Sequence, residues 1–157
     1  MKIIARLSVL NKRGAGWSPV LLRMVIGIGF FVHGYAKLSR GPVGFAKLLA
    51  LSGVPMPHLM AWVGSLTELI GGTALILGLF VSLVSLPLLI TMLVAMFTVQ
   101  IHYGFSSVNT IGLSANGPLF GPPGYEINLL YIACLITLIT GGGGKFALDQ
   151  LFFKQGK

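Results

Sequence analysis

Only three side chains in the chain are acidic, and one of them, Glu68, lies inside the apolar run WVGSLTELIGGTALILGLF (residues 62–80). An ionised carboxylate deep in a bilayer is costly, so a glutamate placed there is paired, held neutral or used to handle protons. The other groups able to do chemistry are few. His33 and Lys37 stand four residues apart in one apolar run, Arg23 lies earlier in the same run, and His102 and Glu126 flank a long polar segment. Two histidines on separate helices suggest bis-histidine haem ligation, but no other haem cue accompanies His33 and His102, and haem is not expected. No metal cluster, nucleophile motif, phosphate loop or dinucleotide fingerprint is visible, and neither a metal nor an intrinsic cofactor is expected. Cys134 is the only cysteine, which excludes an intrachain disulfide or a CxxC relay.

The elements that position these groups belong to a membrane protein. Of 157 residues, 55% are hydrophobic and 9% charged, against about 25% charged in soluble domains. The mean hydropathy is +0.90. Four runs have spanning length, near 20 residues for a hydrocarbon core of about 30 Å. They cover residues 19–38, 59–80, 83–103 and 125–140, the third with Pro87 in its first turn. The reading is an all-α, polytopic four-helix bundle in a lipid bilayer. Its domain occupies residues 19–144, between a basic segment (1–18) and a basic tail (145–157). The first residues show no signal-peptide pattern.

An even number of spans places both termini on one side. That side carries Lys2, Arg6, Lys12, Arg13, Lys145, Lys154 and Lys157, against Lys37, Arg40 and Lys47 in the loops opposite. The positive-inside rule then predicts cytoplasmic termini. The same clustering explains the net charge of +8 without nucleic acid, for no basic stripe is interleaved with aromatics. Of the two loops opposite, 41–58 contains a short apolar stretch suited to an interfacial helix, and the uncharged 104–124 reads as an ordered cap.

Residues at i, i+4, i+7 and i+11 share a helix face. Ala61, Gly64, Glu68, Gly72 and Leu75 form such a stripe, and small residues there let helix backbones approach closely in lipid. Gly29, His33, Lys37 and Arg40 share a face of the first helix. At 1.5 Å per residue, Glu68 lies roughly 13 Å, and His33 roughly 7–9 Å, below the outer helix ends. Glu68 is therefore expected inside the bundle with a basic partner, Arg23 and His33 foremost and Lys37 also within range.

The segments HGYAKL, GFAKLLALSGVPMP, ELIGGTALILGLF, MLVAMFTVQIHYGF and GYEINLLYIACLITLITGGGGKFALD resemble the DoxX family of small bacterial membrane proteins, in order and spacing, from about Leu21 to Asp149. The resemblance implies a four-helix membrane bundle and a link to quinone-dependent oxidation. Founding members of the family are subunits of a thiosulfate:quinone oxidoreductase and terminal quinol oxidase system, and others are linked to redox-stress complexes and to quinone or catechol resistance. Arg23, His33, Gly34, Lys37, Glu68, Gly71, Gly72, Glu126, Lys145 and Asp149 match the family's pattern, which often has Arg where this chain has Lys145. The expectation is a quinone-linked subunit of an oxidoreductase or redox-stress complex in the bacterial inner membrane, with partner subunits or as a homo-oligomer. Glu68 would handle protons, His33, Lys37, His102 and Glu126 would line a quinone site, and Arg23–Glu68 would be a structural ion pair. The alternative is a non-catalytic assembly module or small-molecule transporter.

Overall fold

The computed structural model describes residues 16–150. Of the seven terminal bases, all but Lys145 lie outside the described residues. Helix α1 runs over Ser18–Ser39 with a proline in its opening turn, where a missing N–H costs least. Helices α2 (Pro42–Leu51) and α3 (Pro57–Leu77) also open on proline. Helix α3 stops at Gly78, whose φ of +71° gives the left-handed C-cap that glycine adopts without strain. Helix α4 covers Val81–Thr98, and α5 covers Glu126–Gly141. The chain is thus mostly helical. Three helices, α1, α3 and α4, are long and apolar enough to cross a membrane, and α2 and α5 are shorter apolar helices.

Two expectations shift. The third apolar run does not stay α-helical to residue 103: α4 starts earlier, at Val81, ends at Thr98, and is followed by a 3₁₀ turn over Gln100–Tyr103. Pro87 therefore sits in the second turn, where it leaves the Leu83 carbonyl without its helical donor. The cap at 104–124 is ordered but not helical. Strands β1 (Thr110–Ser114) and β2 (Gly117–Phe120) pair antiparallel around a two-residue turn at Ala115 and Asn116, with Ser114 opposite Gly117. A purely α reading is corrected by this hairpin, which a Gly-, Asn- and Ser-rich stretch with β-branched residues at its flanks can form.

The helices pack in a ring: α1 against α3, α3 against α4, α4 against α5, and α5 against α1. The core is apolar, with Phe30, Leu75, Leu88, Leu135 and Leu138 nearly fully buried. Outward positions such as Val25, Ile70, Leu83 and Phe97 are exposed, as suits a lipid-facing surface. Helix α2 folds back onto α3 through Ala46, Leu49 and Ala61 and roofs one end of the ring.

Small residues set the α1–α3 distance. A Cβ at Gly72 would lie 2.5 Å from the Phe31 nitrogen, and one at Gly34 would lie 2.5 Å from the Leu69 nitrogen. Backbone sits against backbone at both crossings, so neither can yield. Gly64, expected on the same packed stripe, is different: the nearest group to a Cβ there is the Phe45 ring at 3.6 Å. Its place in the stripe is taken by Ser65, which is fully buried and donates to the Ala61 carbonyl at 2.7 Å. Gly72→Leu should therefore lower thermal stability in detergent by at least about 3 kcal/mol, the upper range for overpacking, whereas Gly64→Leu should stay within about 1 kcal/mol of wild type. Equal behaviour of the two variants would contradict the crossing geometry.

Candidate functional site

A cavity of about 620 Å³ opens between α1, α2, α3, α4, the 3₁₀ turn and the start of α5. Its wall is mostly aliphatic and aromatic, and its few polar groups come from separate elements. Helix α1 contributes His33 and Lys37, α3 contributes Glu68, α4 contributes Thr91 and Thr98, the 3₁₀ turn contributes Gln100, and α5 contributes Asn128 and Tyr131. Binding cavities for small organic molecules are of this size and character, apolar with a few convergent polar groups.

Glu68 is 3% exposed, and its partner is Lys37. The Lys37 ammonium donates to both carboxylate oxygens at 2.7 Å. It also lies 4.3 Å from the centroid of the Phe45 ring, so α2 closes over the pair with a cation–π contact. The local reasons are clear in the chain. Gly34 brings α1 onto α3 less than one turn before Lys37, and the long lysine stem then bends inward rather than to the interface. His33 sits on the same wall one turn earlier and is exposed.

The expected Arg23–Glu68 pair does not form. Arg23 is 3% exposed but lies about two turns away, at the level of Leu75 and Ile76. Its guanidinium donates to the Leu75 and Ile76 carbonyls at 3.3 and 3.0 Å and to the Lys145 and Phe146 carbonyls at 3.3 and 3.1 Å. The first two are carbonyls of the last turn of α3, which have no donor within their own helix. Nearby, Asp149 accepts from the backbone N–H groups of Phe80 and Val81, the latter at 3.0 Å, and so caps the start of α4. Lys145 joins this end too, donating its backbone N–H to Gly16 at 3.0 Å. Arg23, Lys145 and Asp149 thus form a structural lock that ties residues 142–149 to the α3–α4 turn, well away from the cavity.

Two of the expected quinone contacts also lie elsewhere. Glu126 begins α5 and accepts from the Ser107 N–H at 2.8 Å and the Ser107 hydroxyl at 2.7 Å, tying the hairpin loop to the helix. His102 sits exposed on the 3₁₀ turn, rotated off the Thr91–Thr98 face because a 3₁₀ turn advances by 3.0 rather than 3.6 residues. Neither lines the cavity. His33, Lys37 and Glu68 do come together there. Gln100, Asn128 and Tyr131 were missed. Their signal is an amide or hydroxyl inside an apolar run, which is as informative as a charge once lipid is the solvent. Among the described residues, no group of three His, Cys, Asp or Glu could hold a metal.

The DoxX family profile matches residues 18–101. An uncharacterized protein of Haemophilus influenzae is 31% identical over 136 residues, 85% of this chain and 90% of its own length. A Bacillus subtilis protein named "Putative oxidoreductase CatD" is 31% identical over 138 residues, 88% of this chain and 89% of its own. An uncharacterized membrane protein of Mycobacterium tuberculosis is 25% identical over 146 residues, 88% of this chain and 83% of its own. No solved structure matches.

Breaking one side of a buried ion pair strands the other charge. Lys37→Met should therefore lower stability by about 3 kcal/mol, the lower end for such pairs because Lys37 is partly exposed. Adding Glu68→Met should restore it to within about 1 kcal/mol of wild type, since no unpaired charge remains. Thermal unfolding of the single and double variants in detergent measures this. Purely additive losses would show that the two side chains do not interact.

Proposed function

Because the chain belongs to the DoxX family, we propose that it is a quinone-linked subunit of a redox complex in the bacterial inner membrane. The observation that carries the reading is the apolar cavity with the Lys37–Glu68 pair in its wall. Its lining suits a ring with an apolar tail, and the pair offers a charged donor and an acceptor to ring oxygens. When bound, a quinone supplies a bilayer-soluble carrier of two electrons and two protons. The chain's own part is to hold the ring between α1, α3 and α4, exclude bulk water with the α2 roof, and hold or release a proton at the Glu68 carboxylate. His33, exposed on the same wall, is the route by which that proton reaches the aqueous phase. The name of the Bacillus subtilis relative agrees with an oxidoreductase. Electrons enter from partner subunits in this reading.

The topology proposed with it has α5 as a fourth crossing. Its 16 residues give about 24 Å, short for the hydrocarbon core, and the hairpin and Gly-rich ends complete the passage. Both termini then lie in the cytoplasm with the seven terminal bases, and the cavity opens in the opposite half of the membrane.

The test is quinone content and turnover of the complex extracted gently from its own membrane. Wild type should carry bound quinone. Gly64→Leu projects its side chain into the cavity and should lose quinone at least about tenfold, at unchanged stability. Glu68→Gln should assemble and keep quinone but slow quinol turnover by about 10²-fold or more, as expected for a lost acid–base group. A complex free of quinone, or one whose quinone content ignores Gly64→Leu, would overturn the reading in favour of a non-catalytic assembly module.

A further inference from the structure

Residues seven apart lie on nearly the same face of a helix. On α4, Leu83, Ile90 and Phe97 make such a stripe, and all three are exposed on the surface that suits lipid. On α3, Val63, Ile70 and Leu77 do the same. Yet Ile90 and Val63 both line the cavity. Ile90 is 60% exposed and stands about 200° around α4 from Leu88, which is fully buried in the core. A cavity whose wall reaches the outward face of two neighbouring helices is open between them.

The packing of α3 on α4 explains where the opening begins. Near their connecting turn the helices touch: a Cβ at Gly71 would lie 3.0 Å from the Leu88 side chain. Two turns further along α3, at Gly64, the contact is gone. A Cβ there meets only the Phe45 ring of α2, at 3.6 Å, and no atom of α4 within 4 Å. The two helices therefore part beyond Gly71 and Leu88, and the gap between them leads inward to Glu68.

The rim of this slot is apolar. Val63, Ile90 and Val94 line it, and the Thr91 and Thr98 hydroxyls are turned into their own helix, donating to the Leu88 and Val94 carbonyls at 2.7 Å. Val63 and Ile90 lie roughly 9 and 12 Å inside the ends of α3 and α4, at hydrocarbon depth for helices that cross a membrane. On either side the rim runs into the outward stripes, through Ile70 on α3 and Phe97 on α4. What meets the slot is thus the acyl-chain region of the bilayer. A ligand arriving from water would have no use for an apolar passage at that depth.

We propose that the cavity is entered sideways from the bilayer between α3 and α4, by a membrane-dissolved amphiphile. Its polar head lies at the Lys37–Glu68 pair, and its tail runs out past Val63 and Ile90 into lipid. That the head is a quinone-type ring rests on the proposed function; the slot rests on the packing of α3 and α4.

The experiment maps where lipid chains reach. The purified protein is placed in nanodiscs containing a phosphatidylcholine with a diazirine on one acyl chain, irradiated, and its adducts are located by peptide mass spectrometry. Wild type should be labelled on the outward residues Leu83 and Phe97 and also on Ala95 and Tyr131, which line the cavity. Val63→Trp with Ile90→Trp, both at outward positions, should plug the slot, abolish the inner adducts and keep the outer ones. Ile70→Trp, on the same stripe of α3 but not in the cavity wall, should keep both sets. Adducts confined to outward residues in wild type would overturn the proposal. So would inner adducts that survive the double plug, which would mean entry by another route, such as beneath α2. Should the double variant fail to insert, the wild-type map still decides.

Quinone content of the complex from its own membrane is read separately. Inner adducts in a protein whose native complex carries no quinone would uphold the slot and overturn the quinone reading. Bound quinone without inner adducts would overturn the slot and leave the quinone reading standing.

Discussion

A carboxylate that leaves water must meet a cation, and most of this architecture follows from how Glu68 meets Lys37. The ammonium reaches both oxygens at 2.7 Å only because α1 and α3 approach backbone to backbone at Gly34 and Gly72. Larger residues at either crossing would push α1 outward and strand the charge. The Phe45 ring then covers the ammonium from α2, so the short helix is held where it roofs the cavity. Burial of a pair like this rarely adds net stability over an apolar substitute, because desolvation offsets the attraction. A stability argument therefore does not account for its presence, which is why the proposed function gives it a role at the cavity.

The two ends of the bundle are built differently. At one end, Arg23 and Asp149 saturate the carbonyls and N–H groups of the α3–α4 turn, and residues 142–149 fold over it. Both terminal guanidinium nitrogens of Arg23 and both carboxylate oxygens of Asp149 are used there in holding chain to chain. At the other end, α2, the 3₁₀ turn and the hairpin are laid over the bundle rather than threaded into it, and they leave a cavity of about 620 Å³. The polar groups thus lock one end of the bundle and leave the cavity at the other. His33 lines the same cavity beside the buried pair and is exposed.

Much of this was legible in the chain, because lipid imposes simple rules. Apolar runs of spanning length marked α1, α3 and α4, and the small face around Glu68 pointed it inward. The partner was harder. Depth along a helix ranked Arg23 with His33, but depth is blind to a tail that folds back and offers the arginine the Lys145 and Phe146 carbonyls. Gly64 and Gly72 look alike in sequence, yet one lines a cavity and the other a crossing: the α1 backbone lies against Gly72, while only the Phe45 ring comes near Gly64. The hairpin escaped because its strands are only five and four residues long and lack strict alternation. Gln100 escaped because helical periodicity was carried past Thr98, where the chain had already changed to a 3₁₀ turn.

The central claim is that Lys37, and no other cation, neutralises Glu68 inside the membrane. Solid-state NMR of the protein in lipid bilayers measures this directly, through dipolar dephasing of the glutamate side-chain carboxyl carbon by lysine side-chain nitrogen. The chain has only two glutamates, so the Glu68 signal can be assigned with a single Glu126→Gln control. The account predicts strong dephasing by lysine, as for a direct contact with nitrogen 2.7 Å from both oxygens, and its loss in Lys37→Met. Dephasing by labelled arginine instead, or by neither, would contradict it.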